Sequence, residues 1–186
     1  MQKLSILMLA LIMGILMLSH SQADAQVKRY RVGYKDNGFS ILPEIAALIP
    51  SNTYSYAINF NFIAGYQFDA HWFVGGGVAL DAYSSDLYVP VFADVRYCFL
   101  DKKFSPFALL DVGYGLPVDA NLSLGAGPMI NPGFGMKYFL TRTTALNLSL
   151  CYRYQSMPVD NSIPGSSTAL RTNFIQSFGV RFGLQF

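Results

Sequence analysis

The sequence predicts an all-β fold, an eight-stranded antiparallel up-and-down transmembrane β-barrel, and three observations carry that expectation. The first is the C-terminal stretch. Phe174, Phe178, Val180, Phe182, Leu184 and Phe186 share one face of an extended strand, and Ser177, Gly179, Arg181, Gly183 and Gln185 share the other, because side chains alternate with period two. The second is composition. Charged residues are 13% of the chain, against roughly 25% in soluble domains. The third is that aromatics reach 15% although no apolar run beyond Leu18 suits a membrane helix, which needs ~20 residues. An apolar chain of that kind must hide its apolar residues in alternation, strand by strand.

The N-terminal segment fits export. Met1-Gln2-Lys3 gives a cationic start, Leu4 to Leu18 form an uncharged apolar run, and Ala23-Asp24-Ala25 places small residues where a signal peptidase reads. The expected division is a cleaved signal peptide over 1–25, a periplasmic lead-in over 26–38 and the barrel over 39–186. No cysteine stands at the junction, so no lipid anchor is expected there. The net charge of +2 is too small to argue for nucleic acid as a partner. Cys98 and Cys151 would reach an oxidising space where a disulfide is permitted. They fall on the fourth and seventh strands at different heights. Bridging needs α-carbons within about 7 Å, so two inert buried thiols are the expectation.

Segment by segment, the alternation sets out the strands. The first, near Phe39 to Ile49, opposes Ile41, Ile45, Ala47 and Ile49 to Glu44. The second runs from Tyr54 to Tyr66, with Phe60 and Phe62 against Asn59 and Asn61. The third, near Trp72 to Ala82, sets Val74, Val78 and Leu80 against Gly75, Gly77 and Asp81. The fourth, near Val89 to Phe99, opposes Val91, Val95 and Tyr97 to Asp94, Arg96 and Cys98. The fifth spans Pro106 to Gly115, with Leu110 and Val112 against Asp111 and Gly113. The sixth, near Met129 to Tyr138, opposes Phe134 and Met136 to Asn131, Gly133 and Lys137. The seventh, Ala145 to Gln155, opposes Leu146, Leu148 and Leu150 to Asn147, Ser149 and Arg153. The C-terminal strand is the eighth.

The connections alternate in length. Short ones fall at Gln67 to His71, Leu100 to Lys103 and Leu140 to Thr143, and longer ones at Ser84 to Asp86, Leu116 to Pro128 and Ser156 to Arg171. Outer-membrane barrels keep short turns in the periplasm and longer loops outside. Pro50-Ser51-Asn52 is the exception, short yet expected to face outward. Ser156 to Ser167 is polar and rich in Pro and Gly, as a surface loop is.

Alternation alone leaves a soluble lipocalin-like carrier as the rival. Size argues against it, since an eight-stranded barrel has an interior just wide enough to be filled by side chains. The bulky aromatic face therefore meets lipid, and the small, polar face lies inside. Aromatics then gather at strand ends, with Tyr66, Trp72, Tyr97, Phe99, Tyr138 and Phe186 towards the short turns. Tyr54, Tyr83, Tyr88, Tyr114, Tyr154 and Phe174 are expected to form a second outward girdle towards the loops.

The inward charges are Glu44, Asp81, Asp94 and Asp111 against Arg96, Lys137, Arg153 and Arg181. An unpaired buried ion costs several kcal/mol, so these are expected to pair into a structural network that fills the lumen. A charged constriction in a narrow channel is the alternative. Catalysis is not expected. His20 leaves with the signal peptide, and His71 lies in a predicted periplasmic turn beside Trp72, where it reads as an interfacial turn residue. Gly75-Gly76-Gly77 and Gly125-Ala126-Gly127 precede no amphipathic helix, so neither reads as a nucleotide loop. No Cys/His cluster has metal-ligand spacing, and no cofactor or metal is predicted.

The stretches Gly65-Tyr66-Gln67-Phe68-Asp69-Ala70-His71-Trp72-Phe73-Val74-Gly75-Gly76-Gly77 and Val91-Phe92-Ala93-Asp94-Val95-Arg96-Tyr97-Cys98-Phe99 resemble the small Gram-negative outer-membrane β-barrel domain family, of OmpA and OmpX type. The final Gly179 to Phe186 is similar to that family's assembly signal, whose aromatic positions would be Phe182 and Phe186 together with Phe178 just before the stretch. The resemblance implies an outer-membrane location and a structural or surface-adhesion role. Its expected partners are outer-membrane lipid and lipopolysaccharide, the barrel assembly machinery, and a surface ligand reached through loop 156–171. It supplies no catalytic positions. A lipid-modifying barrel enzyme is the remaining alternative.

Overall fold

The computed structural model describes residues 37–51, 56–83, 87–118, 126–159 and 171–186. They form eight strands: β1 (Gly38–Pro50), β2 (Ala57–Gln67), β3 (Trp72–Tyr83), β4 (Leu87–Cys98), β5 (Phe104–Pro117), β6 (Gly127–Phe139), β7 (Ala145–Val159) and β8 (Arg171–Gln185). Each pairs antiparallel with its sequence neighbours, and β1 pairs with β8, so the sheet closes into a barrel. Closure removes the free edges that a bilayer would leave without hydrogen bonds. The expected fold class is the observed one. The signal-peptide reading and the lead-in reading as far as residue 36 fall outside the described residues, and β1 begins at Gly38, one residue before the expected start of the barrel.

The seam between β1 and β8 runs from Glu44 opposite Gly183 to Pro50 opposite Ser177. It is finished at the short-turn end by Ile41 and Phe186, whose amides donate to each other's carbonyl oxygens at 3.3 and 3.0 Å. Pro43, which has no amide to give, lies between the two stretches. Pro90 and Pro132 stand at similar interruptions. The β3–β4 ladder skips from Val78–Val91 to Asp81–Tyr88, and the β6–β7 ladder skips from Ile130–Tyr154 to Gly133–Cys151. On their other sides both prolines stay in register, Pro90 opposite Gly115 and Pro132 opposite Leu110. A strand proline survives where its nitrogen faces a neighbour that can do without the donor.

Side-chain exposure decides which face is which. Phe60, Leu148, Leu150 and Phe178 are half to two-thirds exposed, while their strand neighbours Asn59, Asn61, Asn147, Ser149 and Ser177 are buried. A lipocalin-like carrier has the reverse arrangement. Among the described residues no helix is long and apolar enough to cross a membrane, so spanning falls to the strands. At the short-turn end the outward aromatics touch one another: Trp72 with Tyr97 at 4.8 Å and Tyr97 with Phe99 at 5.2 Å between centroids.

One aromatic expectation fails. Tyr83 and Tyr88 do not belong to the loop-end girdle; they are buried inside the barrel, edge to face at 5.9 Å. Parity explains it. The outward positions of β3 are even and those of β4 odd, so the alternation itself turns both tyrosines inward.

Candidate functional site in the barrel lumen

The lumen is occupied by side chains. The inward glycines are the seats for their bulk. A methyl group placed on Gly77 would lie 2.7 Å from Phe92, one on Gly135 would lie 2.7 Å from Phe107, and one on Gly65 2.6 Å from Phe73. Gly183 likewise has Glu44 lying across it. Large residues project inward from one strand where the next strand has none, so eight strands enclose them without widening. Phe73, Phe92 and Phe107, all buried, were not singled out from the sequence. Their signal was the glycine opposite, Gly77 across from Phe92 and Gly135 across from Phe107.

The inward charges form two groups. At mid-height, Arg96 of β4 reaches across to Glu44 of β1 with both terminal nitrogens, at 2.8 and 2.9 Å. Its Nε and Nη2 donate to Asp94 on the same strand at 2.9 Å each. Arg181 of β8 joins Glu44 at 3.2 Å to Asp111 at 2.8 Å, and Asn131 donates to the same Asp111 oxygen at 2.8 Å. Residues from β1, β4, β5, β6 and β8 thus meet in one layer. The second group lies nearer the loops, where Arg153 of β7 pairs with Asp81 of β3 and Asn59 of β2 donates to the other oxygen of Asp81.

Lys137 sits lower, its ammonium 5.0 Å from the centre of the Phe139 ring. Glu44, Asp81, Asp94, Arg96, Asp111, Lys137, Arg153 and Arg181 are each 5% exposed or less. Burial of that depth is tolerated only where charges are matched. Asp81 belongs to the group nearer the loops, and Glu44, Asp94 and Asp111 meet in the mid-height layer around Arg96 and Arg181. Cys98 and Cys151 are both buried free thiols.

At the short-turn end Gln185 donates to Ser40 Oγ at 3.2 Å and to Gln67 Oε1 at 3.3 Å, and Gln67 donates to the carbonyls of Asp69 and Trp72 at 2.7 and 3.1 Å. Just outside, His71 places Nδ1 2.7 Å from the Cys98 carbonyl and stacks on Tyr97 at 5.8 Å. The backbone amides of Trp72 and His71 both donate to Asp69 Oδ1 at 2.7 Å and hold its carboxyl below the usual carboxylate range. That is turn architecture, with the imidazole engaged by the backbone.

No protein-family model and no curated protein matches the chain. Solved structures do. The outer membrane protein OprG of Pseudomonas aeruginosa is 13% identical with a TM-score of 0.54, the match covering 82% of this chain and 96% of that one. Neisserial surface protein A is 16% identical with a TM-score of 0.51, covering 80% of this chain and 97% of the other. The fold is that of the small outer-membrane β-barrels. The outer membrane enzyme PagL is also similar, at 9% identity and a TM-score of 0.47 over 77% of this chain and 97% of its own. Fold by itself assigns no activity.

Proposed function

We propose that this chain is an integral outer-membrane barrel protein with a structural or surface-interaction role, its lumen closed by the charged network and used for no catalysis. One observation carries the reading. Arg96 grips Glu44 and Asp94, and Arg181 ties Glu44 to Asp111, so the network crosses the barrel at mid-height. With the phenylalanines seated on glycines, that layer fills the cross-section a channel would need. The enzyme alternative is disfavoured by His71, whose Nδ1 is spent on the Cys98 carbonyl.

On this reading the signal peptide is removed after Ala25. Phe178, Phe182 and Phe186, all outward-facing and exposed, serve as the signal for the barrel assembly machinery. Contact with a surface ligand falls to the loop between β7 and β8. Membrane fractionation with a gel of boiled and unboiled samples should give a heat-shifted band in the outer-membrane fraction. Planar-bilayer recording of the same protein should show no steady current. A reproducible ion-selective conductance overturns the closed-lumen reading and leaves the narrow channel.

A further inference from the structure

We propose that the short-turn end of the barrel is a collar for anionic phospholipid, its basic side chains binding the phosphate headgroups at the membrane boundary. Lys102 and Lys103 are exposed in the turn between β4 and β5, and Arg142 is exposed in the turn between β6 and β7. The two turns are fastened together, because the Phe139 amide donates to the Lys103 carbonyl at 2.9 Å. Three cations are thereby held along one arc of the rim.

Their height is set by what lies beside them. Phe99, Leu100, Phe104, Tyr138 and Leu140 are all exposed around the same two turns, so the cations begin where the apolar belt ends. The Lys103 ammonium lies 5.1 Å from the centre of the Tyr138 ring. A long stem along an aromatic with the charge at the interface is the posture of a residue reaching from hydrocarbon to headgroups. Asp69, the acid of the neighbouring turn, has an oxygen taken by the amides of His71 and Trp72.

The sequence sorts the remaining charge the same way. Lys28, Arg29, Arg31 and Lys35 precede β1 in the sequence. Asp101 is the other acid in the described short turns. In the sequence, the longer connections carry Asp86, Asp119 and Asp160 and no cation before Arg171. The part played by the lead-in rests on cleavage after Ala25, and that of the two turns does not. Basic residues flush with a hydrocarbon boundary complement a sheet of phosphates, and this attraction is lost within a Debye length as salt rises.

The test is headgroup selectivity. The protein purified from membranes is reconstituted in phosphatidylcholine bilayers with a trace of spin-labelled lipid, bearing either a phosphatidylglycerol or a phosphatidylcholine headgroup. Motionally restricted lipid should favour phosphatidylglycerol about fivefold at low salt and almost not at all in about 0.5 M NaCl. K102S/K103S/R142S, checked for the heat-shifted band, should lose at least half of that preference. Asp101→Asn should raise it. Equal association of both headgroups with the unaltered protein overturns the proposal, as does an undiminished preference in the triple variant. An acidic protein partner for these turns would give the first of those results.

Discussion

The two ends of the lumen are closed by different means. At the short-turn end Gln185, Ser40 and Gln67 bond directly to one another and to the turn backbone, and Phe107 and Cys98 pack just inside. At the loop end Gln155 is fully buried, yet neither of its amide atoms has a hydrogen-bond partner among the described residues, and neither does Ser177 Oγ. Tyr83 and Tyr88 pack with Leu48 and Ile175 around that end. Buried polar atoms without protein partners are ordinarily served by water. Such atoms also occur in the middle layer, at Asp111 Oδ1, Asn131 Oδ1 and Arg181 Nε, and towards the short turns at Asn147 Nδ2, so the difference between the ends is that one glutamine is bonded to its neighbours and the other is not, with the Glu44–Arg96 layer between them.

The largest effects should separate the middle layer from the loop-end pair. Arg96→Ala leaves Glu44 and Asp94 without their shared cation in a buried layer, a change that typically costs about 3–5 kcal/mol. Unfolding midpoints in detergent should fall accordingly. Arg153→Ala strips one carboxylate, Asp81, of its guanidinium where Arg96→Ala strips two, and it leaves Asn59 donating to that carboxylate. Its cost should be smaller, about 1–3 kcal/mol. Equal midpoints for the two variants would break the comparison, because a guanidinium serving one carboxylate would then matter as much as one serving two.

How much of this was legible in the sequence depends on how local the information is. Strand faces were readable because alternation is written in consecutive residues, as in Asn59-Phe60-Asn61-Phe62. Tyr83 and Tyr88 were misplaced where residue type was allowed to outrank that parity. The inward set of charges could be named, but its division into two groups could not. Arg96 finds Glu44 and Arg153 finds Asp81 across the lumen, between strands that are not neighbours. No spacing along the chain encodes such a meeting. The glycine seats fall between these cases. Gly75-Gly76-Gly77 is conspicuous, but its meaning appears only once Phe92 stands opposite Gly77.

A smaller effect sharpens the contrast between the ends. Gln185→Leu removes a donor shared by Ser40 and Gln67 in a closed network, and should cost about 1–2 kcal/mol. Gln155→Leu removes a group that no described residue satisfies. It should be neutral or slightly stabilising, because an apolar side chain of similar size needs no water beside it. Comparing the two unfolding midpoints checks this directly. A Gln155→Leu loss as large as that of Gln185→Leu would mean that the loop end has protein partners of its own.

The smallest expected effect is a pH dependence confined to the short-turn rim. Asp69 is held below the ordinary carboxylate range by the amides of Trp72 and His71. A carboxyl whose folded value is depressed stabilises the folded turn at pH above its unfolded value, and that contribution is lost as pH falls through the depressed value. Hydrogen exchange of the Trp72 and His71 amides reads this without reference to global stability. After correction for intrinsic rates, protection of both amides should be constant at neutral pH. It should decline only below the usual carboxylate range, because only then is the accepting oxygen protonated. Asp69→Asn should flatten that pH dependence while leaving the unfolding midpoint close to normal, since the group is exposed and the bonds are local. A decline near neutral pH, or one that persists in Asp69→Asn, would show that the Asp69 carboxylate is not what holds these two amides.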